Sequence, residues 1–439
     1  MIDIELIRKN PDLIKKAAKD KGLALDIDRI LDVDGRRLKA LQEVEEMRAL
    51  HNKESDAIAR LSGAEREEQI AKSKELKDRI SHKEFEWKAL EEELEELMVR
   101  APTVPSLDTP VGKSDADNVE IHKWGEKKDF GFTPKDHIEL GKDLDILDLE
   151  RGAKVAGYRG YYLKNEGALL AMALMQYAFS KLVKNGYTPM IPPTLVKEYA
   201  LFGSGYFKGK EYDSAVDEIY QVATSNKEST GEMAKDKKFL VGTAEPSLLA
   251  YYSDEVLSEK QLPMKLGGFS QCYRSEIGSY GKDTKGIFRV HEFMKVEQVI
   301  LCKADAKEAE RLQDEMLVLS REMHEELGIP YRQIIICTGD LGVGKYRQYD
   351  LEAWLPGMDR YGETGSASIF LDWQSRRLNV KYVDEEGNKR YVYMLNNTAL
   401  PTPRILIAIL ENHQNEDGSV SVPEALLSYL PKGMKVIRR

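Results

Sequence analysis

Residues 28–100 contain no proline and are crowded with Glu, Lys, Arg, Leu and Ala. So long a stretch without a breaker, with apolar residues at threes and fours, reads as helix. Leu31, Leu38, Leu41, Val44, Met47, Ile58 and Leu61 mark one apolar stripe. Ser62-Gly63 interrupts it, and Leu76, Ile80, Trp87, Leu90, Leu94 and Leu97 mark another. Positions 80, 83, 87, 90, 94 and 97 form a heptad seam with one polar member, Lys83. Two such helices and a short turn predict an antiparallel coiled-coil hairpin, each ~35-residue arm reaching roughly 50 Å. An arm with so little core is a lever or a binding arm rather than a catalytic domain. It is not basic: residues 31–100 hold 14 Lys and Arg against 19 Asp and Glu, a net of −5. Arg48, Lys53, Arg60, Arg66, Lys72 and Lys74 flank the turn and could form a local patch, although charge runs are more often solvated faces. A short helix is expected over 1–20, with Pro11 as a break or as its N1 residue.

The remaining chain has a different grammar. APTVPSLDTPVG, at 101–112, carries three prolines and reads as a linker. Beyond it, helical runs (169–185, 305–327, 404–413) alternate with strand-like runs such as LGGFSQCYR, FRVHEFMKVEQVIL, QYDLEAWLP and SASIFLDWQ. Successive strands joined by hairpins predict an α+β domain, an antiparallel sheet flanked by helices. Residues 203–238, polar and rich in Lys and Ser, read as a mobile insertion. GDLGVGKYRQ lacks P-loop spacing and reads as a loop.

Composition excludes several classes. The 439 residues suffice for two or three domains. No apolar run approaches the roughly 20 residues of a membrane span. The N-terminus lacks a signal-peptide core, so a cytoplasmic protein is expected, with no membrane partner. Cys272, Cys302 and Cys337 are too few and scattered for a disulfide framework, and no CxxC or HxxxH pattern suggests zinc. A net charge of −10 argues weakly against non-specific polyanion binding, but a local nucleic-acid site stays open.

One stretch concentrates chemistry: CYRSEIGSYGKDTKGIFRVHEFMKVE, residues 272–297. On a strand, Arg274 and Glu276 would share a face, as would Phe293, Lys295 and Glu297. Opposite charges beside an aromatic ring suit a ligand face. The plain alternative for an isolated hairpin is a solvated face with a salt bridge.

This stretch closely resembles motif 2 of class II aminoacyl-tRNA synthetases, in the form found in seryl-tRNA synthetases. NGYTPMIPPTLV (185–196) resembles motif 1, the dimer-interface element. VGTAEPSL (241–248) resembles the serine-contacting loop. QYDLEAWLPG (348–357) resembles the strand before the ATP-site strand, and YMLNNTALPTPRILIAILENHQ resembles motif 3. The resemblance covers nearly the whole chain in order. It implies a helical domain over 1–103 whose arm, about 28–100, binds tRNA, a linker over 104–118, and a class II catalytic domain over 119–439. Motif 2 then spans about 270–298 and motif 3 about 394–413. The partners implied are tRNA(Ser), L-serine, ATP with Mg²⁺, and a second copy in a homodimer; no zinc is expected.

Adenylate formation needs positioning and charge stabilisation on phosphates, work suited to arginines and Mg²⁺. By resemblance, Arg274 contacts the α-phosphate and the serine carboxylate, Glu276 the adenine amine, and Phe293 the adenine face. Ser275, Val290, Thr364 and Gly365 complete the ATP site, and residues 278–286 form a loop that nears the tRNA acceptor end. Thr243, Glu245, Glu297, Asn396 and Thr398 read the serine. Glu363 and Ser366 hold Mg²⁺, and Arg404 takes the γ-phosphate. Thr402 is expected as an N-cap and Pro403 as N1, placing Arg404 in a first helical turn where anions are favoured. The chain departs from the family pattern at YGETGSASI and NNTALPTPR. The reading is a serine–tRNA ligase, which could also serve tRNA(Sec). Alternatives are a synthetase-like regulatory protein without aminoacylation and a homologue that loads a carrier protein.

Overall fold

The computed structural model describes residues 1–223, 237–277 and 285–439. Two compact units emerge, Met1–Pro102 and Thr103–Arg439. Among the described residues no helix is long and apolar enough to cross a membrane.

The first unit is helical. Helix α1 (Ile4–Lys9) is capped by Asp3, whose carboxylate accepts from Glu5 N–H, and α2 (Pro11–Asp20) opens with Pro11 at N1. The hairpin is α3 (Ile27–Ile58) and α4 (Gly63–Val99). Its seam in α4 follows the expected register, with Leu76, Ile80, Leu90 and Leu94 buried and Lys83 reaching across to Glu43 at 2.6 Å. In α3 the expected stripe is corrected in part: Val44 is buried and Met47 and Ile58 are half-buried as expected. Leu38 is 43% exposed, and the buried positions are Ile30, Val33, Ala40 and Val44. Spacings of three and four from Ile30 select small β-branched residues and Ala, while large leucines fall just outside. The same register places Arg37, Met47, His51, Glu54 and Ile58 on the seam of α3, and Gln69 and Ser73 on that of α4. The packing is thus apolar at the base and mixed toward the turn.

The second unit is built on eight described strands: β1 (Val119–Trp124), β2 (Thr188–Met190), β3 (Met264–Tyr273), β4 (Glu292–Cys302), β5 (Tyr331–Ile335), β6 (Arg347–Leu355), β7 (Arg360–Leu371) and β8 (Tyr393–Pro401). They lie in the order β1-β5-β6-β7-β8-β4-β3-β2. Every neighbouring pair is antiparallel except β2 with β3. Alternation sends Val296 and Ile300 of β4, Ile369 of β7 and Leu395 of β8 into one core with helices α5 (Asn165–Lys184), α6 (Ala306–Glu326) and α7 (Thr402–Asn412). That layer leaves the opposite face of the central strands for polar side chains. A polar chain also crosses the core: Asn397 donates to Gln298 at 2.6 Å and to Ser320 at 2.8 Å, and Gln298 donates to Tyr187 at 3.0 Å.

The segment expected as a mobile insertion has packed ends. Tyr220–Val222 pairs with Lys238–Leu240, and Phe207, Ile219 and Phe239 share a small core. Aromatic residues scattered among the lysines supply that core. Residues 224–236 of the insertion and 278–284 of the motif 2 loop lie outside the described residues.

Leu90→Ala is expected to lower local stability of the hairpin by ~2–4 kcal/mol, and Leu38→Ala by less than ~1 kcal/mol. Hydrogen-exchange protection of α3 and α4 in the full chain checks both values; equal losses would refute the buried register.

Candidate active site

The open face of the sheet holds a slot of about 510 Å³ beside a chamber of about 1700 Å³. Arg274, Lys295, Glu363 and Thr398 line both. The slot is lined further by Glu276, Val290, Phe293, Gly365 and Arg404, the chamber by Glu245, Glu297, Ser366 and Asn396. Most of the expected site residues therefore converge, although they come from three strands, two helices and the chain between β3 and β4.

Strand alternation explains only part of this. Phe293, Lys295 and Glu297 share a face of β4 as expected. Strand β3, however, ends at Tyr273, so Arg274 and Glu276 do not lie on a strand, and Glu276 adopts φ +55°. Glu276 nonetheless turns into the slot, held by Arg159 at 3.2 Å and Arg289 at 3.5 Å. Ser275 does not line the slot. Its N–H donates to Glu218 O at 3.3 Å, and its buried hydroxyl has no hydrogen-bond partner among the described residues. Arg274 donates to Gly242 O at 3.3 Å and lies 5.6 Å from the Phe293 ring centre, a cation–π distance.

Glu363 and Ser366 are three residues apart, which on a regular strand means opposite faces. Here Leu351 pairs with Gly365 while Glu352 pairs with Glu363, so Thr364 is the extra residue of a β-bulge. The bulge resets the alternation and turns both oxygen donors to the cleft. Thr364 sends its hydroxyl the other way, to His324 Nε2 at 2.8 Å. His324 Nδ1 faces Ser320 O at 2.7 Å, an acceptor only, so Nδ1 carries the proton and Nε2 accepts from Thr364. Burial keeps this imidazole neutral, its pKa pushed down to about 4.

The chamber wall is charged and buried. Lys295 contacts Glu297 at 2.5 Å and donates to Thr398 at 3.2 Å. Thr243 donates to Glu297 at 3.0 Å from behind, without lining the chamber. Glu245 accepts from Asn396 at 2.6 Å and Gln374 at 2.7 Å. Burial, then the nearby Glu297 charge, pushes the Glu245 carboxyl up to about 7. A cation entering this chamber would relieve that cost.

In the chamber wall, Asp350 lies opposite Ser366 in the ladder, and burial with the Glu363 charge raises its pKa. Burial alone would raise Glu363 too, but Arg404 and Arg274 hold it below its ordinary value. Glu363 and Ser366 present hard oxygens of the kind that Mg²⁺ takes, and could hold such an ion. No cluster of three or more His, Cys, Asp or Glu among the described residues could hold a metal by itself.

Arg404 sits in the first turn of α7 as expected, donating to Glu363 O at 2.8 Å and Phe288 O at 3.2 Å. The expected cap is corrected. Pro401 is the N-cap, and Thr402 is already helical. Strand β8 runs directly into the helix, so the Thr402 hydroxyl meets β4 instead, donating to Met294 O at 2.9 Å.

Sequence reasoning missed Arg159, Phe288 and Arg289 at the slot and Lys345 and Asp350 in the chamber lining. Asp350 had a signal, its alternation with Gln348 and Glu352 in β6. Arg159 had none, because it reaches Glu276 across 117 positions of chain.

Residues 226–413 match the model of the tRNA synthetase class II core domain (G, H, P, S and T). Fold and cleft are those of a class II aminoacyl-tRNA synthetase. Residues 1–105 match the seryl-tRNA synthetase N-terminal domain. A serine–tRNA ligase of Rubrobacter xylanophilus is 39% identical over 443 residues, covering 100% of this chain and 99% of its own length. One from Thermobifida fusca is 42% identical over 431 residues, covering 98% and 97%. The crystal structure of Pyrococcus horikoshii seryl-tRNA synthetase complexed with ATP superposes with a TM-score of 0.88 at 36% identity, over 100% of this chain and 99% of that one. The chain belongs to the seryl-tRNA synthetase family.

The raised Glu245 pKa fixes a sign. A carboxyl whose folded pKa exceeds its unfolded one costs stability as pH rises from its unfolded pKa, 4.5, toward 7. Glu245→Gln is expected to raise the melting temperature of the ligand-free protein at pH 8 and to change it little below pH 4.5. A gain equal at both pH values would show that Glu245 is not the buried charge described.

Proposed function

We propose that the chain is a serine–tRNA ligase that joins L-serine to ATP as seryl-adenylate and then transfers serine to the terminal adenosine of tRNA(Ser). The observation that carries this is the position of Arg274, which borders slot and chamber together. ATP in the slot and serine in the chamber would bring the α-phosphate and the amino-acid carboxylate to one guanidinium. A carboxylate oxygen attacks the α-phosphorus, the bond to the bridging oxygen breaks, and pyrophosphate leaves with that electron pair. No protein nucleophile is required; alignment and charge do the work.

In this reading Phe293 and Val290 flank the adenine, Glu276 faces its amine, and Arg404 takes the γ-phosphate at a helix N-terminus. Bound Mg²⁺ supplies charge neutralisation on the phosphates, and Glu363 with Ser366 would hold it. Glu245 and Glu297 suit the ammonium and hydroxyl of serine, with Asn396 and Thr398 closing the pocket. Buried groups left unpaired by alanine discriminate strongly, by as much as ~10⁴-fold in comparable sites.

The ligase would work in the cytoplasm as a homodimer, with the α3–α4 hairpin engaging tRNA. Exposed Leu169 and Met172 on α5 precede the motif 1 segment in sequence, and exposed Ile191 lies within it; these apolar side chains support the dimer. Sedimentation at micromolar concentration should give twice the 49.9 kDa chain mass; a monomer would remove that part of the proposal.

The decisive experiment is amino-acid-dependent ATP–pyrophosphate exchange. Serine should support exchange, while alanine, glycine and threonine should not. Arg274→Ala should lower kcat/KM by ~10²–10³-fold, the loss of one preorganised charge donor. No exchange with any amino acid, from folded protein, would overturn the ligase reading.

A further inference from the structure

Residues 285–290 carry Phe288, Arg289 and Val290 into the slot, yet their backbone follows turns and bends rather than a ladder. Two contacts fix it. Arg404 Nε donates to Phe288 O at 3.2 Å. One residue earlier, Ile287 N–H donates to Nε2 of buried His137 at 3.3 Å.

His137 is held in turn by Glu411, which is completely buried. His137 Nδ1 lies 2.8 Å from Glu411 Oε1, and the His137 backbone N–H donates to the same oxygen at 3.0 Å. Gly357 N–H donates to Oε2 at 2.8 Å. A backbone N–H only donates and a carboxylate only accepts, so the imidazole is assigned Nδ1–H and a bare Nε2. The ring relays one acceptor position from Glu411 to Ile287.

Arg404 and Glu411 are seven residues apart on α7, two turns, and so lie on one face. We infer that α7 clamps residues 286–288 at two points, directly through Arg404 and through His137 from Glu411, and that His137 is a positioning residue for the nucleotide slot. Gly286 marks the tightness of the fit: its φ is +67°, and a Cβ built there would overlap His137 Nε2. This inference rests on the reading that the slot holds ATP.

Two substitutions separate the two hydrogen bonds of the ring. His137→Asn keeps an N–H near Nδ1 for Glu411 and removes the acceptor for Ile287. His137→Gln places an amide oxygen near Nε2 and restores it. The measurements are ATP affinity by calorimetry on the full chain, and KM for ATP and serine in pyrophosphate exchange. His137→Asn should weaken ATP about tenfold, the scale of one buried hydrogen bond left unmade, with serine KM within about twofold. His137→Gln should recover most of that loss. Wild-type ATP affinity in His137→Asn overturns the clamp, as does equal weakening of ATP and serine in both variants. If His137→Asn does not fold, Gly286→Ala presses on the same ring from the loop side. It should weaken ATP and spare serine, and unchanged ATP affinity overturns the clamp. A wild-type chain that binds no ATP overturns the reading of the slot itself; a chain that binds it equally in all variants overturns only the clamp.

Discussion

One extra residue in β7 decides what the cleft receives. Without the bulge at Thr364, Glu363 and Ser366 would face opposite sides of the sheet, and one of them would enter the apolar core. The Thr364 hydroxyl, bonded to a neutral buried histidine on α6, turns that side chain to the helix side while the residue still borders the slot. The conformation of the strand and the side-chain chemistry of the helix layer are thus one arrangement. A second shift, between Val296 and Glu297 of β4, leaves Ala399 extra in β8 and brings Thr398 opposite Glu297. Both irregularities lie where charged groups must converge, and a perfectly regular sheet could not gather them.

The elements themselves were legible. Proline-free heptads wrote the hairpin, and strands with one apolar face wrote the sheet, because periodicity is set by the backbone. Legibility failed where side chains interrupt periodicity. Alternation put Arg274 and Glu276 on one strand face, whereas the chain leaves the strand before Arg274. Leucine content suggested the seam of α3, but register, not residue size, chose Val33 over Leu38. Asn396 and Asn397 are adjacent and identical, yet one enters the chamber and the other bonds Gln298 in the core. Only pairing with β4 and β7 tells them apart.

The residues that line the cleft were expected through resemblance to a family, and their supports were not. Arg159 and His137 lie far along the chain from the groups they hold, and neither sits in a recognisable pattern. A bulge is equally silent, since it depends on the partner strand. The cleft also shows how a chain of net charge −10 can prepare a place for anions. Arg274, Arg289, Lys295 and Arg404 are gathered within it, while Glu276, Glu297 and Glu363 keep them from repelling one another. Local charge, rather than the total, sets what such a surface attracts.

The grading of the hairpin seam has a mechanical consequence. Apolar layers near the base resist opening, while layers with His51, Glu54, Gln69 and Ser73 contribute little cohesion. The arm is therefore a rod of uneven stiffness, rigid at its root and compliant at its tip. Such a rod can yield at its end while holding its direction, and the work of that bending is spent locally rather than passed down the helices.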